Sequence, residues 1–527
     1  MSAANSGIGG RKSRPFALLR VNRDASGTKR SIQARTLPDA GTSFSARAAR
    51  VIIVAIRTVV GTRARISLMN ILLIATYEQG HQPFGLASPA AWLRSGGSKV
   101  ACLDISRDPL VEDAIRDAHL IAIHIPMHTA TRLAIELIAP IRAINSAAHL
   151  CFYGLYASVN ADYLRKRGVQ TILGGEFEAG LSALAMDLAK NGGDQSEHKS
   201  QRELLVSLER QNFLVPDRQG LPALDRYATL QLPDGTTRIA GYTESSRGCK
   251  HLCRHCPIVP VYNGAFRIVA LEVVLEDIRR QVNAGAQHIT FGDPDFFNGI
   301  GHAVPLIESL HREFPELTYD ATIKIEHLRK HEAHIATLRE TGCLFITSAV
   351  ESIDDAVLEK LAKNHTRSDF EYVLRACRAH DLPLQPTFVP FSPWTTFDSY
   401  CEPLDFLAAN DLIENVTPIQ LAIRLLIPAG SLLLDLADIQ KVAGPFDEKS
   451  LVHPWKHADP RVDKLCEEVQ RIVHNGEKLN RGRRQIFERI RDAARRASGV
   501  EQLEQSDALP LLVSRATIPY LTEPWYC

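Results

Sequence analysis

The chain has 527 residues, of which 45% are apolar and 23% charged, with a formal net charge of +1. Its length gives room for two or three domains, and its composition is that of an ordinary globular protein. Ten scattered cysteines exclude a disulfide-stapled secreted scaffold and point to a reducing, cytoplasmic setting. Arg57, Arg63 and Arg65 interrupt the apolar stretch 51–74, which argues against a membrane-spanning helix there.

The near-zero charge hides an asymmetry. Residues 1–68 hold 13 Lys and Arg against Asp24 and Asp39, a local net of +11, and the other 48 basic and 58 acidic residues net −10. Such a leader reads as a transit peptide, as a basic arm for nucleic acid, or, the reading preferred here, as sequence upstream of a true start at Met69. Met69 stands directly before Asn70-Ile71-Leu72-Leu73-Ile74-Ala75, an apolar run that opens a domain. N-terminal sequencing of the native protein decides between these.

From 69 to 190 short apolar runs alternate with helical ones. Strands are predicted at 70–76, 99–104, 120–125, 149–153 and 170–173, and helices at 89–95, 110–117, 130–145, 159–167 and 178–190. Five strand–helix units specify an open, doubly wound parallel sheet, which binds ligands beyond the carboxyl ends of its strands. His81 and His128 lie on those loops, where a histidine serves a cofactor or, more ordinarily, a helix cap or a polar surface. Segment 191–202 is polar and reads as a linker, and 203–239, with turn signals at Pro233-Asp234-Gly235, as a barrel-entrance segment.

The run Cys249-Lys250-His251-Leu252-Cys253-Arg254-His255-Cys256 carries the chemistry. Three thiolates at this spacing hold three irons of a [4Fe–4S] cube and leave the fourth iron open. The alternatives are a zinc site completed by His251 or His255, or three unrelated core cysteines. Cys102, Cys151, Cys343 and Cys377 sit in apolar or helical contexts and read as small buried hydrophobes, so no second cluster is expected. Six strand–helix repeats follow between 240 and 430, with strands at 239–245, 289–291, 317–323, 343–350, 384–389 and 418–426.

The stretch Glu244 to Arg267 resembles the cluster loop of the radical S-adenosylmethionine (SAM) superfamily, with its R-G-C-x-x-x-C-x-x-C pattern. Later segments resemble that superfamily in order: Phe291-Gly292-Asp293-Pro294-Asp295, Ile323-Lys324-Ile325-Glu326 as the third strand, Glu351-Ser352 at the end of the fourth, and Ile427-Pro428-Ala429-Gly430 as the last. The resemblance implies a partial (β/α)6 barrel, a [4Fe–4S] cluster on Cys249, Cys253 and Cys256, and SAM held by His255, Gly292, Asp293, Glu351, Ser352, Ile427 and Pro428. It also implies an external electron donor of reductase, flavodoxin or ferredoxin type, and hydrogen abstraction from an unidentified substrate. His255 stands where relatives carry an aromatic residue, and Gly-Asp-Pro-Asp where they carry a Gly-Gly-Glu-like turn. The alternative function is a non-catalytic iron–sulfur or zinc-binding protein.

The first domain resembles the cobalamin-binding domain that precedes the barrel in many of these enzymes, but it lacks the D-x-H-x-x-G signature whose histidine ligates cobalt. Cobalamin bound without a histidine ligand and a domain that has lost the cofactor both remain open at this point. After 431 a helical extension is expected. Its basic run Asn480 to Arg496, interleaved with Glu488 and Asp492, reads as a solvated helix face rather than a nucleic-acid surface. The tail Leu521-Thr522-Glu523-Pro524-Trp525-Tyr526-Cys527 resembles that of the radical SAM family ending in Cys-Cys-Ala-Glu-Pro or Cys-Sec-Ala-Glu-Pro. The expectation is a frame continuing through a selenocysteine codon into a redox-active tail, which the next codon tests.

Overall fold

The computed structural model describes residues 69–190, 206–499 and 516–523. Segments 1–68, 191–205, 500–515 and 524–527, and with them the basic leader, the 191–202 linker and Cys527, lie outside the described residues.

The first five strands are β1 (Asn70–Ala75), β2 (Lys99–Asp104), β3 (Leu120–His124), β4 (His149–Tyr153) and β5 (Thr171–Gly175). They form a parallel sheet of order β2-β1-β3-β4-β5, extended by β6 (Val206–Ser207). Successive side chains leave a strand on opposite faces. Leu72, Ile74, Ile121, Ile123, Leu150 and Phe152 therefore build one core, and Ile71, Leu73, Leu120, Ala122, Cys151 and Tyr153 another on the other face. Burial on both faces is why these strands read as unbroken apolar runs. The helix expected over 130–145 is two, His128–Glu136 and Ile138–Ile144. Pro140 has no N–H for a continuous helix and sits in the first turn of the second. β6 was expected as linker and entrance. It fits against Gly175, where a Cβ would lie 2.2 Å from the Ser207 carbonyl oxygen.

The second sheet has the order β14-β13-β12-β11-β8-β7-β15. Its parallel staves are β8 (Thr237–Thr243), β11 (His288–Phe291), β12 (Thr318–Thr322), β13 (Cys343–Glu351) and β14 (Leu384–Phe388). β7 (Thr229–Gln231) joins β8 as a hairpin across the Pro233-Asp234-Gly235 turn, where Asp234 accepts from the Thr236 amide at 2.9 Å. Between β8 and β11 in sequence, β9 (Ser246–Gly248) and β10 (Phe266–Ile268) pair separately. The sixth strand expected at 418–426 is instead a 3-10 turn, Pro418–Leu421, and one bridge from Arg424 to Phe391. Pro418 cannot donate to a ladder, and the Arg424 guanidinium stacks on Trp455, 3.6 Å from its ring centre. The barrel is closed from the other edge. β15 (Tyr520–Leu521) pairs with β7, and the Pro519 carbonyl accepts from Gln385 of β14 at 2.8 Å. The third-strand resemblance at Ile323 to Glu326 falls just past β12, on the turn into the helix Ile325–Lys330.

Helices Pro460–Lys478 and Arg483–Ser498 pack Val462, Leu465, Val469, Val473, Ile486, Phe487 and Ile490 into the barrel core. The basic run pairs with the protein's own carboxylates: Arg491 and Arg495 with Asp405 at 2.8 and 3.2 Å, and Arg496 with Glu468 at 3.0 Å. Cys151, Cys343 and Cys377 are buried and Cys102 partly so; burial pushes the thiol of Cys377 up to about 12 and that of Cys102 to about 11. No described helix is long and apolar enough to cross a membrane.

One buried cation joins the two sheets. Arg247 of β9 lies 2.7 Å from Glu178, 3.4 Å from Glu176 and 2.7 Å from Glu244. Its guanidinium packs on the rings of Phe84, Phe177 and Phe213. Burial pushes the Glu178 carboxyl up, and Arg247, Ser88 and Gln211 bring it below its ordinary value. Arg247→Met strands these carboxylates and should cost about 3–5 kcal/mol, read as a fall in the urea midpoint. Adding Glu176→Gln and Glu178→Gln should recover most of that loss.

Candidate active site

β9 ends at Gly248, with φ of 73°. A Cβ there would stand 2.4 Å from the Tyr262 ring and 2.5 Å from the Ala265 carbonyl oxygen. The glycine lets the chain turn tightly into Cys249, and the pairing of β9 with β10 brings it back at Phe266. The intervening loop is anchored at several points. Arg254 donates to the Lys360 carbonyl at 2.8 Å, at the last turn of helix Asp355–Leu361, where a cation suits the helix dipole. Asn298 accepts from the Lys250 amide at 3.3 Å, and Ser431 donates to the Arg254 carbonyl at 3.2 Å.

Cys249 and Cys253 are buried and Cys256 nearly so, and none is in a disulfide. Burial, together with the neighbouring Cys253 and Cys249, pushes the Cys256 thiol up to about 12. Burial likewise raises Cys249. Three thiols gathered in one short loop and free of disulfides suit a polynuclear metal group. The Nδ1 of His255 is buried without a hydrogen-bond partner.

His255 Nε2 lies 3.1 Å from Glu351 Oε1, and Lys363 Nζ lies 3.5 Å from the same oxygen. Burial raises the Glu351 carboxyl, but Lys363 and His255 bring it down to about 2. Glu351 sits at φ 69°, where the β13–β14 register shifts; a non-glycine residue held there stores strain of about 1–3 kcal/mol. Ser352 accepts from the Asp354 amide at 3.0 Å. The Gly292 amide donates to the Thr243 carbonyl at 2.8 Å, and the Tyr242 hydroxyl fills the place of a Gly292 Cβ. Asp293 accepts from the Ser245 amide at 2.8 Å and from the Ser245 and Ser246 hydroxyls at 2.7 and 2.5 Å. It thereby ties the end of β11 to the strand that launches the cysteines. Its carboxyl is pushed up to about 6 by burial. Ile427 is fully buried with its carbonyl accepting from the His453 amide at 2.8 Å, and Pro428 accepts from the Ser431 amide at 3.2 Å.

Sequence reasoning singled out neither Asp295, Lys324, Lys363 nor His327 as a site residue. Asp295 Oδ2 lies 2.7 Å from His327 Nδ1 and 3.5 Å from His251 Nε2. Lys324 Nζ lies 3.8 Å from Cys253 Sγ. A Lys-x-Glu spacing alone carries no hint of this; the fold brings it to the thiols.

The barrel holds a cavity of about 1410 Å³, bordered by Gly292, Asp293 and Ile258, two residues after Cys256, and lined by Thr290, Asp320, Thr322, Thr347, Gln385 and Thr387 among others. Asp320 accepts from Thr290 at 2.8 Å and lies 3.0 Å from His288 Nε2. His81 also borders this cavity. It lies 2.8 Å from Glu523 and 5.0 Å from the Tyr242 ring centre.

In the first domain the strand order reverses between β1 and β3, the crevice where such sheets take ligands. Here Glu78 and His124 close on each other at 2.6 Å. The His124 ring lies against Tyr153 and Phe177, and a Cβ on Gly85 would fall 2.0 Å from it. His128 contacts the Ser450 carbonyl at 2.6 Å. Glu78, His124 and the loop carrying His128 are the residues that border this crevice on its carboxyl side.

Residues 243–398 match the family model described as Radical SAM superfamily. Among curated proteins, the chain is 24% identical over 176 residues to ribosomal protein uS12 methylthiotransferase RimO of Syntrophotalea carbinolica, covering 32% of this chain and 38% of that one. It is 26% identical over 292 residues to hopanoid C-3 methylase of Methylococcus capsulatus, covering 54% and 56%. The chain thus spans less than two thirds of either relative. Among solved structures, the cobalamin-dependent S-adenosylmethionine radical enzyme OxsB with aqua-cobalamin bound aligns at TM-score 0.59 and 15% identity, over 78% of this chain and 67% of that one. The radical S-adenosylmethionine methyltransferase TsrM of Kitasatospora setae aligns at 0.52 and 18%, over 65% and 71%. At these identities the likeness is one of fold: a parallel α/β sheet ahead of a partial barrel. The match to the Radical SAM superfamily model spans the segment that carries all three cysteines of the loop.

Proposed function

We propose that this chain is a radical SAM enzyme acting on a polar substrate held in the barrel cavity. The observation that carries the reading is the gathering of Cys249, Cys253 and Cys256, largely buried and free of disulfides, in one anchored loop. When bound, a reduced [4Fe–4S] cluster supplies the electron that splits SAM into methionine and a 5′-deoxyadenosyl radical for hydrogen abstraction. The chain's own residues do the rest. The thiolates of Cys249, Cys253 and Cys256 would hold that cluster. Gly292 and Asp293 offer backbone at the cavity rim, and Glu351, braced by His255 and Lys363, presents a fixed carboxylate beside the loop. Ser352, Ile427 and Pro428 complete the expected SAM contacts. The Thr, Gln and Asp side chains of the cavity favour a hydrogen-bonding substrate over an apolar one. The electron comes from a reductase, flavodoxin or ferredoxin-type donor. A cobalamin bound on the first sheet would add methyl transfer or rearrangement to this chemistry. The tail family with its selenocysteine stays part of the proposal only as a redox group beyond Glu523.

One observation favours a second reading, a non-catalytic zinc site: ligand atoms of Cys249, His251 and Asp295 lie within 4.8 Å of one another. Asp295 is already engaged by His327 at 2.7 Å, and that engagement favours the first reading.

Anaerobic reconstitution should give about four irons and four sulfides per chain, with 5′-deoxyadenosine formed on addition of dithionite and SAM. Replacing any of Cys249, Cys253 or Cys256 by Ala should abolish nucleoside formation. Zinc uptake without nucleoside would establish the second reading instead. Glu351→Gln should weaken SAM binding to the loaded protein about tenfold, or 1.4 kcal/mol, by equilibrium dialysis. An unchanged Kd would remove Glu351 from the cofactor site.

A further inference from the structure

Two buried lysines stand near the cysteines, Lys324 and Lys363. Burying an ammonium costs several kcal/mol unless it is compensated, so each position calls for a physical reason. Lys363 faces Glu351, a carboxylate with 9% side-chain exposure, and that pair accounts for it. Lys324 is placed differently. Its carboxylate partner, Glu326, is 3.4 Å away and 34% exposed, and it is shared with His251 Nδ1 at the same distance. On its other side Lys324 Nζ points at Cys253 Sγ, 3.8 Å away.

That placement is built into the fold. The Lys324 amide donates to Asp295 Oδ1 at 3.3 Å, and its carbonyl accepts from the His327 and Leu328 amides at 3.0 and 2.9 Å as the cap of helix Ile325–Lys330. Asp295, fully buried, also meets His251 and His327. His251 lies between Cys249 and Cys253, so one cluster of side chains fixes both the loop and the lysine.

We propose that Lys324 sets the electron affinity of the iron–sulfur cluster through a charge-assisted N–H···S hydrogen bond to Cys253. This rests on the reading that Cys249, Cys253 and Cys256 hold that cluster. One electron from the external donor enters on reduction, and no bond forms or breaks. The added negative charge spreads partly onto the thiolate sulfurs. A cation beside one of them, out of water, stabilises the reduced form more than the oxidised one. Hydrogen bonds to sulfur and local charge are among the levers that set such potentials. Lys324 eases reduction by the donor and, in the same measure, lessens the drive for passing the electron on. It is a positioning residue acting through the cluster.

The test uses the full chain, reconstituted anaerobically, as wild type, Lys324→Met and Lys324→Arg. Iron and sulfide are assayed first, and the reduced cluster is then titrated against potential by electron paramagnetic resonance. Lys324→Met should keep its iron and shift the reduced-to-oxidised ratio at fixed potential about tenfold toward oxidised, which is about 59 mV lower for one electron. Lys324→Arg, which keeps the charge, should stay within about twofold of wild type. A fully loaded Lys324→Met with an unchanged midpoint overturns the proposal. So does a Lys324→Arg shift equal to that of the Met variant, or a folded Lys324→Met that takes up no cluster. A wild-type chain that takes up no iron overturns the cluster reading itself, and the iron assay identifies that case before any titration.

Discussion

The guanidinium of Arg247, buried two residues before the first cysteine of the loop, is tolerable only because carboxylates from both sheets surround it. Glu176 and Glu178 follow β5 at the carboxyl edge of the first sheet, and Glu244 follows β8 of the barrel. The attitude of the first domain and the position of the cysteine loop are thus one interaction. Three carboxylates share this cation; burial raises Glu176 and Glu244, and the Tyr262 hydroxyl donates to Glu176 at 3.2 Å. The last of these contacts ties the far side of the loop to the same knot.

The polar interior of the barrel follows from strand alternation. On β12, Tyr319 and Ala321 join the apolar core while Asp320 and Thr322 face the cavity. On β11, Ile289 packs outward and Thr290 inward. Barrels whose inward positions carry large branched apolar side chains fill their own interiors. Short threonines leave room instead. The chain's own tail closes the open edge, so the cavity wall depends on residues at both extremes of the described chain.

Much of this was legible because it is local. Strands 99–104 and 149–153 and helix 178–190 agree with the structure end to end, since each is a short periodic segment bounded by turn signals. The glycine before the cysteines and their spacing also showed in the sequence. The segment 418–426 misled because a buried apolar run looks alike whether it is a strand or an irregular wall. Its polar backbone is served by side chains such as Tyr400, which donates to the Leu421 carbonyl at 2.9 Å, and Trp455, which donates to that of Leu425 at 2.8 Å.

By itself the sequence determined the order of strand–helix units and the set of thiols offered to a metal, because period and spacing are properties of neighbouring residues. Tertiary structure alone decided which cation meets Cys253, what fills the crevice of the first sheet and what closes the barrel. Lys324 and Cys253 are 71 residues apart, and His81 and Glu523 are 442 apart. Contacts over such separations are set by packing and charge compensation in the folded interior, which no local pattern encodes.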